Sequence, residues 1–271
     1  GEMGAGVGGR LVERGATVFT PLAGRSKASL ERARTAGLQD INEAALGSVD
    51  MILSILPPGE AVSLARRLAP IIAAAAVKPL YADCNAVSPA TVQAIAAIIA
   101  PTGAAFVDAG IVGGPPRGAY TPAIYASGAD APRFAALNDL GLNIQVIDGA
   151  VGQASALKLC YAAITKGLHA IGISSMLAAI EAGVAEPFMA ELARSQPRLL
   201  DGFVSGAPGV FPKAYRWVVE MEEIGAFLGG GGQQIYDGAA RQYERLAADH
   251  AGPRKDEDAV LAFLKSRPPA T

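Results

Sequence analysis

Gly1-Glu2-Met3-Gly4, read with Ala16-Thr17-Val18-Phe19 and then Gly24-Arg25-Ser26, is the stretch on which the reading of this chain turns. After Gly4, Val7, Leu11 and Val12 recur at helical spacing, and Gly15 can close the helix. The β-branched run Thr17-Val18-Phe19-Thr20 then reads as a strand. A glycine turn that opens a helix and leads to a second strand is how nucleotide folds bring backbone N–H groups to a pyrophosphate. In that pattern a buried strand and one more glycine, two positions before Gly1, complete G-x-G-x-x-G. The expectation is that roughly 5–12 residues carrying that strand precede Gly1 in the intact protein. Gly-x-x-Gly alone is common in loops, so the weight rests on what surrounds it.

In such folds a carboxylate roughly 20 residues after the turn accepts hydrogen bonds from the adenosine ribose. Here Gly24-Arg25-Ser26 follows the strand and carries no acid. A guanidinium offers charge and paired donors, and a hydroxyl adds another, which suits a ribose 2′-phosphate. The residues favour NADP over NAD. Ser26 also fits the N-cap of the next helix, and the two roles are compatible.

The totals narrow the classes of function. At 271 residues, 51% hydrophobic and 18% charged, the composition is that of a well-packed globular protein with room for two domains. Lys plus Arg number 23 against 25 Asp plus Glu, and no basic run appears, so no nucleic-acid partner is expected. The two cysteines, Cys84 and Cys160, lack metal or redox spacing and read as free thiols of a reducing compartment. With only His169 and His250, there is little material for a zinc site or a Ser-His-Asp triad, and no metal is expected. The apolar tract Ile71–Val77 is too short to span a bilayer, no membrane partner is expected, and the cytoplasm is the default location.

Along the chain, strands and helices alternate. Lys27–Ala36 reads as a helix ending at Gly37. Asp50–Leu56 is a near-continuous apolar run stopped by Pro57-Pro58, as in a strand buried on both faces. Ala61–Ala76 is helical, Pro79–Cys84 is the next strand, and Ser88-Pro89 begins a helix with a cap and a proline at its first position. Ala105–Gly110 is a further strand, and residues 121–147 read as a closing strand, helix and strand. This is the pattern of a doubly wound, mostly parallel sheet, whose ligands sit outside the carboxyl ends of the strands. A domain of residues 1–149 is expected. Gly152 to about Ala182 then forms one helical tract, roughly 45 Å long, and residues 150–271 form an all-helical domain. Gly229–Gly232 reads as a flexible turn between helices, and Asp256–Lys265 as a last helix ended by Pro268-Pro269.

Two features could carry chemistry. Asp108-Ala-Gly-Ile-Val-Gly-Gly114 is a glycine-rich segment where backbone can approach a ligand, though a plain turn has the same composition. On the long tract, Lys158, Tyr161, Ala162 and Thr165 fall on one helical face at i, i+3, i+4 and i+7. Lys166, about 80° round, is a secondary candidate. A lysine among Ala and Leu either snorkels to solvent or faces a polar pocket.

Taken in order and spacing, Gly1–Gly4, Leu56-Pro57, Asp83-Cys-Asn-Ala-Val-Ser-Pro89, Asp108–Gly114 and Gly152–Lys158 resemble the 3-hydroxyacid dehydrogenase and 6-phosphogluconate dehydrogenase superfamily over essentially the whole chain. The carboxyl half is most similar to a poorly characterised branch of it. The resemblance implies an α/β Rossmann domain joined by a long interdomain helix to an all-α domain, in a homodimer that acts on a small-molecule substrate. It implies that Gly1, Glu2, Met3 and Gly4 hold the pyrophosphate, Gly24, Arg25 and Ser26 the adenosine ribose, and Leu56, Pro57, Pro58 and Asn85 the nicotinamide side. Lys158 matches the family's catalytic lysine, with Tyr161 beside it. Val112, Gly113, Gly114, Ala162 and Thr165 match substrate-side positions. Two departures stand out. The family's loop is typically Asp-x-Pro-Val-Ser-Gly-Gly, whereas this chain has Gly110 and Val112 for the proline and serine, and Ala162 replaces a usual Asn. Both point to a larger or less polar substrate than a simple 3-hydroxy acid, with Tyr161 as a replacement donor. Imine-reducing relatives usually replace the lysine by Asp or Tyr, so Lys158 favours alcohol and carbonyl chemistry. The alternatives are an imine reductase and a catalytically silent NADP-binding regulator.

Overall fold

The computed structural model describes residues 1–268; Pro269, half of the Pro268-Pro269 pair, lies outside them. The chain divides into two compact units, residues 1–159 and 160–271.

The first unit opens with α1 (Glu2–Glu13), β1 (Phe19–Thr20), α2 (Lys27–Thr35) and β2 (Gln39–Asp40), and continues through β3 (Met51–Ser54), α3 (Ala61–Ala74), β4 (Leu80–Asp83) and α4 (Pro89–Ile99). After these come β5 (Phe106–Val112), β6 (Ala123–Ser127), α5 (Ala131–Phe134), β7 (Asn143–Val146) and the first turns of α6 (Gln153–Glu181). Strands β1 and β2 form a short parallel pair, and β3-β4-β5-β6-β7 form a five-stranded sheet in that order. All its pairings are parallel except β5–β6.

Period-two alternation divides the core between the two faces of this sheet. Leu80, Ala82, Val107, Ala109 and Ile124 pack with Val7 and Leu11 of α1 and Phe134 of α5. Ile52 and Tyr81 face the other way, onto Ala65, Leu68 and Ile72 of α3 and Ile95 and Ile99 of α4. Helices thus cover both faces, which is the doubly wound arrangement. Every residue of β4 is buried, as its continuous apolar run requires.

The structure departs from the sequence reading in three places. Strand β5 continues to Val112, because Gly110, Ile111 and Val112 pair with Tyr125, Ile124 and Ala123 of β6. Only Gly113 and Gly114 remain of the expected glycine-rich segment as loop. Second, Gly229 alone connects α9 and α10, and Gly230–Gly232 lie inside helix, so the four-glycine run is a tight turn and a helix start. The positive φ angles, +63° at Gly229 and +50° at Gly230, are what the turn asks of glycine. Third, the division between units falls within α6, after Leu159, ten residues beyond the expected Gly149.

The second unit contains the rest of α6, with α7 (Ala185–Ser195), α8 (Pro197–Gly206), α9 (Ala214–Leu228), α10 (Gly230–Ala251) and α11 (Lys255–Lys265). Helices α9 and α10 pack against each other along their length. Lys166 of α6 is ion-paired with the buried Glu220 and lies 5.2 Å from the ring centre of Trp217. Trp217 meets Tyr243 edge-on, and the Tyr243 hydroxyl donates to the Lys166 carbonyl at 2.6 Å. Lys166 is therefore committed to this packing. By length and composition α6 is apolar enough to cross a bilayer, and 39% of its apolar window is buried within the protein.

Candidate active site

The carboxyl edge of the sheet is assembled from the ends of β3, β4 and β5, the start of α1 and the start of α6. Helix α1 has Gly1 at its N-cap, a residue with no side chain to accept from the first-turn N–H groups. A Cβ on Gly4 would lie 3.9 Å from the Ile55 carbonyl oxygen, so the glycine turn abuts the end of β3. A helix start with a glycine N-cap, aligned N–H groups and no capping side chain fits the diphosphate of a dinucleotide.

Beyond β3, Leu56-Pro57-Pro58 is held by one side chain. Asn85 Oδ1 accepts from the Leu56 N–H at 2.8 Å, and its Nδ2 donates to Ser54 Oγ at 2.8 Å and Asp83 Oδ2 at 2.9 Å. The Asn85 N–H also donates to Asp83 Oδ1, at 3.1 Å. Asn85 is 3% exposed, with both amide hydrogens engaged. It shapes the Leu56–Pro58 turn from beneath. Burial pushes the Asp83 carboxyl up to about 6; the two bonds from Asn85 and the Lys158 ammonium pull it down, and Asp108 pushes it further up. The Cys84 thiol is likewise pushed up by burial, against the pull of Lys158. Lys158 thus acts electrostatically on the end of β4.

Lys158 sits where α6 crosses β5. A Cβ on Gly110 would come within 2.9 Å of the Ala154 carbonyl oxygen and 3.1 Å of Lys158 Cβ, so the missing side chain lets the helix lie close on the strand. Two residues earlier on the same face, the fully buried Asp108 accepts from Gly152 N, Ser155 N, Ser155 Oγ and Ser127 Oγ. Asp108 opens the glycine-rich segment singled out in the sequence, but its bonds to Ser127 and Ser155 have no sequence signal: they span 19 and 47 residues.

The Gly113–Gly118 loop folds back onto α1. A Cβ on Gly6 would be 2.8 Å from Pro115 Cβ, and Arg10 donates to the Gly118 carbonyl at 2.6 Å and to the Thr121 hydroxyl. Arg10, a residue without a sequence signal, thereby ties this loop to the helix of the glycine turn. Val112 closes β5, with Gly113 and Gly114 just beyond it.

Beyond β1, Gly24 turns at φ +72°. Ser26 caps α2, its Oγ accepting from the Ser29 N–H at 3.3 Å, while Arg25 is exposed. Arg32, one turn along, donates to Ser29 Oγ at 3.2 Å and adds a cation that the sequence reading did not single out. In the helical unit Tyr161 is 54% exposed, Ala162 is buried, and the Thr165 hydroxyl donates to the Tyr161 carbonyl at 3.0 Å. That unit also carries an open groove of about 400 Å³ between α6 and α10, lined by Ile164, Leu168, Ile171 and Ile235.

Comparison with known proteins agrees with this architecture. A conserved protein of unknown function, MTH1747, whose structure shows similarity with 3-hydroxyacid dehydrogenases, is 32% identical with a TM-score of 0.70, over 97% of this chain and 96% of that one. Mycobacterium tuberculosis 3-hydroxyisobutyrate dehydrogenase, solved with L-serine, shares the fold at 23% identity and a TM-score of 0.67, over 98% and 97% of the two chains. An imine reductase from Myxococcus stipitatus, solved with NADP+, shares it at 20% identity and 0.56, over 98% and 97%. Residues 179–246 match a domain of unknown function (DUF1932). Residues 1–142, more than half of the chain, match the NAD binding domain of 6-phosphogluconate dehydrogenase, and the chain belongs to that family.

Proposed function

We propose that the protein is an NADP-preferring oxidoreductase that interconverts a hydroxy acid or related alcohol and its carbonyl, with Lys158 as general acid and base. The observation that carries this reading is the close seating of Lys158 over Gly110 at the carboxyl edge of the sheet, within electrostatic reach of Asp83 and Cys84. Bound NADP supplies or takes up the hydride. In reduction the Lys158 ammonium gives its proton to the carbonyl oxygen as charge builds there; in oxidation the neutral amine removes the hydroxyl proton. An ordinary lysine titrates near roughly 10.4, so the acid role works at neutral pH without tuning, whereas the base role requires desolvation.

The remaining assignments follow the site. The first turn of α1, Gly1 to Gly4, holds the diphosphate, and Leu56, Pro57 and Pro58, shaped by Asn85, bound the nicotinamide side. Gly24, Arg25 and Ser26 receive the adenosine ribose, and the Arg25 guanidinium selects its 2′-phosphate. Gly113 and Gly114 present backbone to the substrate. Val112 and Ala162 leave that environment less polar than a serine and an asparagine would, Tyr161 offers a phenolic donor, and Thr165 adds a hydroxyl. The apolar groove of α6 and α10 supports a homodimer, and the reducing cytoplasm suits the two free thiols.

The test is a turnover screen of hydroxy acids and cyclic imines with NADPH and NADP+, alongside cofactor affinity. Wild type turns over a hydroxy acid, and Lys158→Ala abolishes that turnover while NADPH affinity holds. Turnover of imines alone identifies an imine reductase. Tight NADPH binding with no turnover identifies a silent regulator, and failure to bind either cofactor overturns the redox reading.

A further inference from the structure

The residue before helix α6, Gly152, has no side chain to cap it and a φ of +109°. The Gln153 amide bonds to the Ala150 carbonyl at 3.3 Å. The amides on either side of it are met from the sheet. Asp108 Oδ2 of β5 accepts from Gly152 N at 2.8 Å and Ser155 N at 3.1 Å, and also from the hydroxyl of Ser127 on β6 at 3.0 Å. Oδ1 accepts from Ser155 Oγ at 2.6 Å. Ser127 Oγ in turn accepts from Ala154 N, at 3.1 Å. Three amides at the helix start are thus satisfied by two side chains of neighbouring strands. All four groups around Asp108 donate to it, the pattern an acceptor-only carboxylate satisfies. A carboxylate with no solvent exposure is costly unless so surrounded, and the donors here leave no slack for the helix to turn or slide.

Asp108 and Gly110 lie on one face of β5, and Ser155 and Lys158 are three residues apart on α6. The carboxylate fixes the rotation and height of the first turn; Gly110 fixes how near the next turn comes. A slip of one residue would swing Lys158 by about 100° around the helix axis. We propose that Asp108 is a positioning residue for Lys158, setting with Ser127 and Ser155 the station from which the lysine reaches the reacting oxygen. This rests on the reading of Lys158 as the proton carrier. Misplacement of a reacting group by about 1 Å can cost roughly 100-fold in rate, so a buried acid that touches no ligand can govern turnover.

The test separates geometry from charge. Asp108→Asn removes the charge but keeps the clamp: with the amide oxygen toward the three donors of Oδ2, its nitrogen donates to Ser155 Oγ. Asp108→Ala removes both. Acetylation of Lys158 by acetic anhydride is followed against pH by peptide mass spectrometry in the full chain, with the exposed Lys27 as internal reference. The Asp108→Ala profile should depart from that of Asp108→Asn by about half a pH unit or more, towards Lys27, as the lysine becomes ordinarily solvated. Coincident profiles for the two variants overturn the proposal. Should Asp108→Ala fail to fold, Ser155→Ala removes only the side-chain bond and is compared with Ser155→Thr, which retains a hydroxyl; coincidence there overturns it equally. The two readings fail separately. Turnover surviving in Lys158→Ala removes the proton role and leaves the clamp standing, whereas coincident labelling profiles remove the clamp whatever Lys158 does.

Discussion

Asp83 gives the site a measurable pH signature. Its carboxyl titrates near 3.8 when solvated and is pushed up to about 6 in the fold, chiefly by burial at the end of β4. A folded pKa above the unfolded one means that the folded state binds the extra proton. The stabilisation is therefore complete below pH 3.8 and is lost as pH rises through 6. The whole shift is worth about 3 kcal/mol, of which about 1 kcal/mol falls between pH 5 and pH 7. Asp83→Asn cannot ionise, so wild type should lose about 1 kcal/mol relative to the variant over that interval, or roughly 0.5 M in urea midpoint at a slope near 2 kcal/mol per molar. The constant offset between the proteins reflects the altered bonds to Asn85; only the pH dependence reports the charge. Urea unfolding followed by far-UV circular dichroism at pH 5, 6 and 7 measures it, and hydrogen exchange over residues 80–90 assigns the transition to the N-terminal unit. If the two midpoints run parallel across that range, burial does not raise this carboxyl and the account of the β4 end is wrong.

Three further outcomes are expected. Gly110→Ala places a methyl 2.9 Å from the Ala154 carbonyl oxygen and forces α6 off the strand, costing about 1–3 kcal/mol in thermal or urea unfolding; a neutral result would mean the helix has room to spare. Arg25→Ala should erase most of a preference for NADPH over NADH, seen as convergence of the two dissociation constants by fluorescence titration, whereas an unchanged ratio returns Arg25 to an ordinary turn residue. Ile164→Glu with Ile171→Glu places two charges on the exposed face of α6, and sedimentation velocity should report monomer where wild type sediments as dimer; an unaltered dimer would move the interface elsewhere.

Much of the fold is legible because burial leaves its mark on composition. The runs Met51–Ser54 and Leu80–Asp83 are apolar on both faces since helices cover both, and Ser88-Pro89 announces α4 by a cap whose hydroxyl does accept from the Thr91 N–H. Strand direction leaves no such mark. The antiparallel pairing of β5 with β6, which carries Val112 into the sheet, depends on how a connecting segment runs and not on side-chain pattern. At the site, Lys158 is visible as a lysine among apolar residues, and Gly110 as one glycine of a segment where backbone can approach closely. What sets their relation is not: Asp108 meets Ser155 across 47 residues, and Arg10 meets Thr121 across 111, contacts that only the folded backbone creates. Asn85 is legible as a polar residue at a strand end. That both its amide hydrogens are engaged beneath Leu56 is not, since hydrogen-bond partners are a property of packing.

The trans-capping of α6 also bears on the order in which the chain acquires its structure. A helix with a local Ser or Asp cap can complete its first turn as soon as its own residues are made. The amides of Gly152 and Ser155 wait instead on an acceptor 44 and 47 residues upstream, and Ala154 on Ser127, 27 residues upstream. Those oxygens face the helix together only once β5 and β6 have paired. The loop that must close brings an entropic cost that no local interaction offsets in advance. The first turn of the helix, just before the one that carries Lys158, is accordingly a late-forming piece of the molecule: during synthesis or refolding, the middle of the helix can wind first, and its amino-terminal end becomes ordered only when the sheet beneath is in register.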